Sequence, residues 1–332
     1  MRRKTQLLLF SCWFFVAPLI AEPYFKVVVL GCMGGPLETN MPGYLLAPIL
    51  SEQYIALDTG SLVAGIEIGV EKGSFPHLQL ENNKNSYEAA AQILRNHIKA
   101  YLISHPHLDH TMGLVINSPI DTKTILMGTN FTIDAFRDHI FNGIIWPNFG
   151  SEGTNPLDIY QYERLKPQTT TGIPGTQMSV QIFSLHHPGC YESTAFLVES
   201  NGHYTLYIGD TSPDSLEKTP KLEPIWREIA PLIQKGALHG IFIECSYDNS
   251  RPKNQLYGHL TPQYVLEELD KLAQFVNPGK PTLGDTKILI NHIKQTFLKN
   301  NDAPQKIKEE LEGGNRYNFQ FILLEQGLKY EL

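Results

Sequence analysis

The sequence predicts an α/β protein, a four-layer αββα sandwich with two sheets packed face to face between outer helices. Two observations point there. Short apolar runs of strand character gather in two halves of the chain, and each half also carries segments of helical spacing. The 332 residues are 42% apolar, which supports a sizeable core, and they show no internal repeat, low-complexity tract or domain linker. One domain over residues 22–332 is therefore expected.

The N-terminus reads as an export signal over residues 1–21. Arg2, Arg3 and Lys4 precede an apolar run from Leu7 to Ile20, and Ala21 is a plausible cleavage residue. The run is short for a membrane span, so a periplasmic or secreted protein without a stable span is expected. Tyr24–Leu30 reads as the first strand and enters the turn-rich Gly31–Pro36. No Lys-Ser/Thr follows those glycines, so a phosphate cradle is weakly supported. Tyr54–Leu57 is the next strand and ends in Asp58-Thr59-Gly60. Ser86–Ile98 places Ala90, Ile93, Leu94 and His97 at helical spacing. Ala100–Ser104 reads as a buried strand, Thr124–Met127 as a short one, and Thr132–Phe141 as a helix.

From His139 to Phe149 the chain is unusually apolar, and Pro147 breaks any helix. Two readings stand: a hydrophobic plug over the core, or a substrate wall in which Trp146 and Phe149 stack on a base and Asn148 bonds its edge. Residues 151–175, rich in Gly, Pro and Thr, read as a long surface excursion. Ser179–Leu185 is a strand ending in His186-His187. Thr194–Glu199 and Tyr204–Ile208 alternate like paired strands joined by an Asn201-Gly202 turn. Gly240–Ile243 is a buried strand. Thr261 caps a helix with Pro262 in its first turn, running through Leu266, Leu269 and Leu272. Lys287–Ile290 is the last inner strand, and Phe319–Leu324 closes the sheet.

The chemistry concentrates after Ser104, in His105-Pro106-His107-Leu108-Asp109-His110. Pro106 keeps His105 and His107 off a continuing helix, so the polar groups are expected to crowd a loop at a strand end. Imidazole and carboxylate donors suit divalent metals. In an extended segment His105 and His107 point the same way and can share one metal, while Asp109 and His110 turn to a second. Position makes either His186 or His187 a third ligand of the first. Asp210, after a buried strand and Gly209, is placed to bridge two cations.

His-x-His-Leu-Asp-His resembles the signature of the metallo-β-lactamase superfamily. With the following Gly-Leu-Val-Ile-Asn-Ser-Pro, residues 113–119, it resembles the narrower signature of the class II cyclic-nucleotide phosphodiesterases. Thr111 departs from the aliphatic residue usual in that family, at a position that carries no ligand. The His139–Phe149 segment also resembles that family, and the likeness covers nearly all of Tyr24–Leu332. It implies the same αββα fold and a dinuclear hydrolase that opens 3′,5′-cyclic nucleotides (cAMP, cGMP) to 5′-monophosphates. By the resemblance His105, His107 and His187 hold one metal, Asp109, His110 and His292 hold the other, and Asp210 bridges them. Asp58 is expected to support the site from behind. Glu244 and His259 resemble the pair in tRNA 3′-processing nucleases that places a histidine near the scissile phosphate. His259, Glu244 and Asp109 are thus the expected catalytic groups. Zinc is the expected metal, and the seven N/O ligands also suit manganese or iron.

Charge narrows the substrate class. The formal charge is −7, and loss of Arg2, Arg3 and Lys4 would make it −10. A chain that grips a nucleic-acid polymer needs a basic footprint, whereas a small cyclic nucleotide held by cations does not. A nuclease is disfavoured on that ground. A lactamase or lactonase is disfavoured by the second aspartate and the Glu244–His259 pair, and a non-catalytic binding protein by the complete ligand set. Cys12, Cys32, Cys190 and Cys245 have no paired spacing, so at most one bridge of undetermined pairing is allowed. The oligomeric state stays open, a homodimer included.

Overall fold

The computed structural model describes residues 22–80, 85–188, 191–296 and 302–332, so the export-like segment, Cys12 and Cys190 lie outside the described residues. The first half runs β1 (Phe25–Gly31), β2 (Met33–Gly34), β3 (Gly43–Pro48), β4 (Tyr54–Thr59), α1 (Val63–Glu71), α2 (Ser86–His97), β5 (Ile98–Leu102), α3 (Leu108–Asn117), β6 (Thr124–Gly128), α4 (Asn130–Ala135) and β7 (Tyr160–Arg164). The second half runs β8 (Thr171–Gly172), β9 (Ser179–His186), β10 (Glu192–Ser200), β11 (His203–Ile208), α5 (Leu222–Gln234), β12 (Leu238–Glu244), α6 (Pro262–Val276), β13 (Lys287–Asn291), β14 (Ile293–Lys294), α7 (Ala303–Gly314), β15 (Gln320–Leu323) and β16 (Lys329–Glu331).

Among the described residues fourteen of these strands make two seven-stranded sheets, β16-β1-β3-β4-β5-β6-β7 and β15-β13-β12-β11-β10-β9-β8, and β2 pairs parallel with β14. Strand β16 returns from the second half to pair antiparallel with β1, so the halves are laced together. Period-two alternation then builds three cores. Val28 and Leu30 of β1 face α1 and α2, while Phe25, Val27 and Val29 face the other sheet. On β12, Ile241 and Ile243 meet α5 and α6, and Phe242 meets the first sheet. Phe242 is fully buried beside the rings of Tyr44 and Tyr207, at 5.2 and 5.7 Å. Burying each such side chain contributes roughly 1.5–3 kcal/mol. The layers are helix, sheet, sheet, helix, as the apolar patterning predicts.

Most expected strands are present within a residue or two, and the Asn201-Gly202 turn has φ of 51° and 81°, the pair of positive values its hairpin requires. Three expectations need correction. Residues 151–175 are not all surface excursion, because β7 pairs parallel with β6 and buries Tyr160 completely. The Tyr160 hydroxyl donates to Asp121 at 3.0 Å, which makes an aromatic strand affordable amid turn residues. The expected Thr132–Phe141 helix starts earlier and divides into α4 and a π-helical turn, Phe136–Ile140. Asp109 and His110 lie on the first turn of α3 rather than on a loop, with His107 as its extended N-cap (φ −61°, ψ 147°). Strand β3 and helices α1, α5 and α7 carry glycine or proline that masks them in sequence. Burial against the sheets forms them regardless, as for Val63 and Ile66 of α1.

Candidate metal centre

Both sheets deliver their chemistry at one end, where parallel strands finish. Asp58 closes β4, His105 follows β5, Asp210 follows β11, Glu244 ends β12 and His292 follows β13. A crevice outside the carboxyl ends of strands is the usual ligand position in α/β folds. Close backbone approach makes the convergence possible. A Cβ on Gly60 would stand 1.8 Å from the Asp109 carbonyl oxygen, so only glycine lets α3 abut β4. Gly258, with φ of 78°, lets the His259 loop reach Pro188. Asp58 and His292 themselves adopt φ of 52° and 58°, a strained conformation held by their surroundings.

Two sets of donors converge. In the first, His105 Nε2 lies 3.0 Å from His107 Nδ1, which lies 3.3 Å from His187 Nε2. In the second, His292 Nε2 lies 3.2 Å from His110 Nε2 and 3.3 Å from Asp109 Oδ2. Asp210 Oδ2 stands between the sets. It is 3.8 and 3.9 Å from His105 and His187, and 3.4 and 3.2 Å from His110 and His292. All seven expected ligands are thus brought together. Four-coordinate zinc with Zn–N near 2.0–2.1 Å separates its ligand nitrogens by about 3.3 Å, close to the spacing here. His186 is not in the cluster: its Nε2 faces the Thr219 carbonyl at 2.9 Å, and His187 is the histidine that turns inward.

The outer nitrogen of four of the five rings, those of His105, His110, His187 and His292, is tied down, which fixes the tautomer. His110 Nδ1 donates to Asp58 Oδ2 at 2.8 Å, and His187 Nδ1 donates to the Gly258 carbonyl at 3.2 Å. Two serines act as relays. Ser104 Oγ donates to Asp58 Oδ2 at 2.7 Å and can then only accept from His105 Nδ1, 3.0 Å away. Ser246 Oγ donates to Glu244 Oε2 at 2.6 Å and accepts from His292 Nδ1 at 2.9 Å. In the neutral tautomer of each of these rings the lone pair then sits on Nε2, facing the cluster. Asp58 also accepts from Ser104 N and from the Tyr207 hydroxyl, so it braces the site from behind as the resemblance implies.

Charge states agree with ligand chemistry. Burial holds His105 well below its ordinary pKa, and the neighbouring His110 adds to the effect. His107 and His292 are also lowered by burial, and His187 is lowered to about 4. These rings are neutral at pH 7, the form that binds metal. Burial opposes the charged form of Asp210 and Asp109, yet the histidines around them pull both well below the usual carboxylate range. His110 runs the other way: despite burial, Asp210, Asp58 and Asp109 raise it. Three carboxylates around His110 would be answered equally by a metal cation at its Nε2. Among the described residues the ion-pair partners of buried Asp58, Asp210 and Glu244 are histidines, with no lysine or arginine. Such burial is costly unless cations compensate it.

Glu244 and His259 are paired as expected. His259 Nδ1 lies 2.9 Å from Glu244 Oε1 and 3.7 Å from Asp210 Oδ2. Glu244 also accepts from Thr211 N at 2.9 Å, next to Asp210. Burial opposes its ionisation, but His259 lowers its pKa.

The substrate-wall reading of Trp146, Asn148 and Phe149 is corrected to the plug. Asn148 is buried and spends its side chain on its own loop, donating to the Glu152 and Thr154 carbonyls and accepting from Gly150 N. Phe149 packs with Phe141, and Trp146 Nε1 donates to Ser118 Oγ at 3.0 Å. Thr111, the departure from the family pattern, donates to the His107 carbonyl at 3.0 Å and so steadies a ligand without being one. Cys32 and Cys245 are free and buried.

Sequence reasoning missed Ser104, Ser246, Tyr207 and Tyr191. Ser246 had one signal, its position two residues after Glu244 at a strand end, which puts both side chains on one side. Ser104 and Tyr207 are ordinary strand residues by pattern. Tyr191 joins the site only by tertiary approach, its ring 4.3 Å from that of His107.

Two facing sheets between helices, with a two-set His/Asp cluster at one end, define a protein of the metallo-β-lactamase fold. The metallo-β-lactamase fold protein YhfI of Bacillus subtilis superposes with a TM-score of 0.61 at 14% identity, covering 93% of this chain and 100% of that one, a likeness of fold alone. The model of the cAMP phosphodiesterases class-II family matches residues 25–324, and the chain belongs to that family. It is 35% identical over 320 residues to the 3′,5′-cyclic-nucleotide phosphodiesterase of Aliivibrio fischeri, covering 96% of each. Unliganded yeast PDE1 superposes with a TM-score of 0.82 at 26% identity, covering 93% of this chain and 100% of that one.

Proposed function

We propose that this chain hydrolyses 3′,5′-cyclic nucleotides to 5′-monophosphates at a dinuclear centre. The observation that carries the proposal is the pair of donor sets sharing Asp210 beside a glutamate-braced histidine, in a member of the class-II family. His105, His107 and His187 would hold one divalent cation, Asp109, His110 and His292 the other, with zinc the metal best matched by the histidine-rich set. Such a pair would supply an activated water at neutral pH and stabilise charge on a bound phosphoryl group. His259 supplies what the cations do not. Its Nδ1 is engaged by Glu244, which leaves Nε2 to protonate the departing 3′-oxygen. Asp58, Ser104 and Ser246 hold the ligand rings in register for that geometry. The acidic chain disfavours a nucleic-acid polymer as substrate.

The cationic start and apolar run of residues 1–21 support export to the periplasm or beyond. The interlaced sheets support one domain over residues 22–332.

Purified, metal-analysed protein assayed on cAMP, cGMP, 2′,3′-cyclic AMP, bis(p-nitrophenyl) phosphate, a tRNA precursor and a β-lactam tests the reading. Preferential opening of the 3′,5′-cyclic substrates is expected. Comparable turnover of the tRNA precursor or the β-lactam would overturn it.

A further inference from the structure

We infer that Tyr191 and Phe131 form the surface on which the base of the substrate stacks. This rests on the proposed function and names a part of that site which the metal cluster leaves unassigned. Tyr191 and Phe131 remain 39% and 36% exposed beside a cluster whose side chains, His107 and Asp109 apart, are almost wholly buried. Large rings left open at the mouth of a polar site leave apolar area for a ligand to cover.

Their placement fits a nucleotide. Phe131 sits in the first turn of α4, just past the carboxyl end of β6 in one sheet, and Tyr191 immediately precedes β10 in the other. The two rings meet edge to face at 5.3 Å and form a corner across the crevice. Tyr191 also lies 4.3 Å from the His107 ring and 6.5 Å from that of His187. A phosphate held at the cluster would therefore project its sugar and base along this corner. On the His259 side, Tyr247 is capped by an arginine, and Tyr257, though 60% exposed, has no ring contact with a cluster histidine among those of the described residues. Arg251 covers the Tyr247 ring at 4.4 Å and reaches the Tyr257 ring at 5.6 Å. Trp146 and Phe149 are committed to the plug. A stacking surface of this kind accepts any base, because every base offers a π-face.

The test compares metal-loaded wild type, Tyr191→Ala, Tyr191→Phe and Phe131→Ala on cAMP and on 1-O-methylribose 3′,5′-cyclic phosphate, the same ester without a base. Tyr191→Ala should raise KM for cAMP about 10-fold or more, with bound metal unchanged and KM for the baseless ester unaltered. Tyr191→Phe should restore wild-type KM. Phe131→Ala, whose ring contact is with Tyr191, should show the same base-dependent rise and decides the matter if Tyr191→Ala loses metal. An equal loss on both esters, or no loss on cAMP, would overturn the inference while leaving the proposed function standing. Failure of the wild type on both cyclic esters would overturn both.

Discussion

Replacing Asp58 by asparagine removes one negative charge from beneath the metal cluster while nearly preserving the shape of the side chain. Four donors converge on this carboxylate: Ser104 N at 2.7 Å on Oδ1, and Ser104 Oγ, His110 Nδ1 and Tyr207 Oη at 2.7, 2.8 and 2.5 Å on Oδ2. An amide offers one acceptor oxygen. Turned toward the three donors, it leaves its own N–H₂ against Ser104 N–H; turned the other way, it abandons three donors. Asp58 and Ser104 are fully buried, so water cannot repair the loss. At least one unsatisfied donor costs about 1–3 kcal/mol of stability. The brace on His110 also weakens, and loss of such an outer partner typically costs about 10–100-fold in metal affinity. Chelator competition measures the second effect and urea unfolding of the metal-free protein the first. Unchanged metal affinity, with stability within about 0.5 kcal/mol of wild type, would refute the view that Asp58 holds the cluster in register.

Asp210→Ala should abolish activity and lower bound metal at both sites, because one oxygen lies within 4 Å of ligand nitrogens from both sets; elemental analysis showing two ions per chain would contradict the bridging role. His259→Ala should keep fold and metal content but cut turnover of cAMP by about 10²–10⁴-fold. The loss should be smaller on bis(p-nitrophenyl) phosphate, whose leaving oxygen departs without a proton, and equal losses would remove His259 as the acid. Lys26 is nearly inaccessible, and burial, with Lys329 adding to it, lowers its pKa to about 8. Between pH 8 and 10.5 the unfolded chain binds a proton that the folded one has released, so Lys26 adds a contribution to stability that rises with pH across that window, against the opposite trend from buried Cys32, whose thiol is pushed up to about 12. Lys26→Met should flatten this rise in urea titrations, and an unchanged slope would show that Lys26 does not carry it.

Much of the site was legible because ligand chemistry is local in residue type. His105, His107, Asp109 and His110 announce themselves by density, and Asp210 and His292 by standing just past buried strands. The αββα layering was legible because period-two and helical spacing record which face each segment buries. The plug at Trp146–Phe149 was not, since the same residues serve a wall or a core equally well; only the bonds of Asn148 to its own loop separate the two.

The sequence alone therefore determined the donor types, the acidic surface and the alternation that makes two sheets. Helix α3 was hidden because Pro106 breaks the chain just before His107 caps the next helix, and strand β7 because turn residues surround it. The tertiary structure alone decided between His186 and His187, since adjacent strand residues point to opposite faces and the second sheet must arrive before either face has meaning. It alone revealed the relays through Ser104 and Ser246, whose hydroxyls meet Asp58 and His292, each 46 positions away in the chain. It also brought Tyr191 against His107 from a different sheet, a contact between residues 84 positions apart in the chain. Residue type carries the chemistry of a site, but which groups face each other across it depends on closing long loops, and that information is not local.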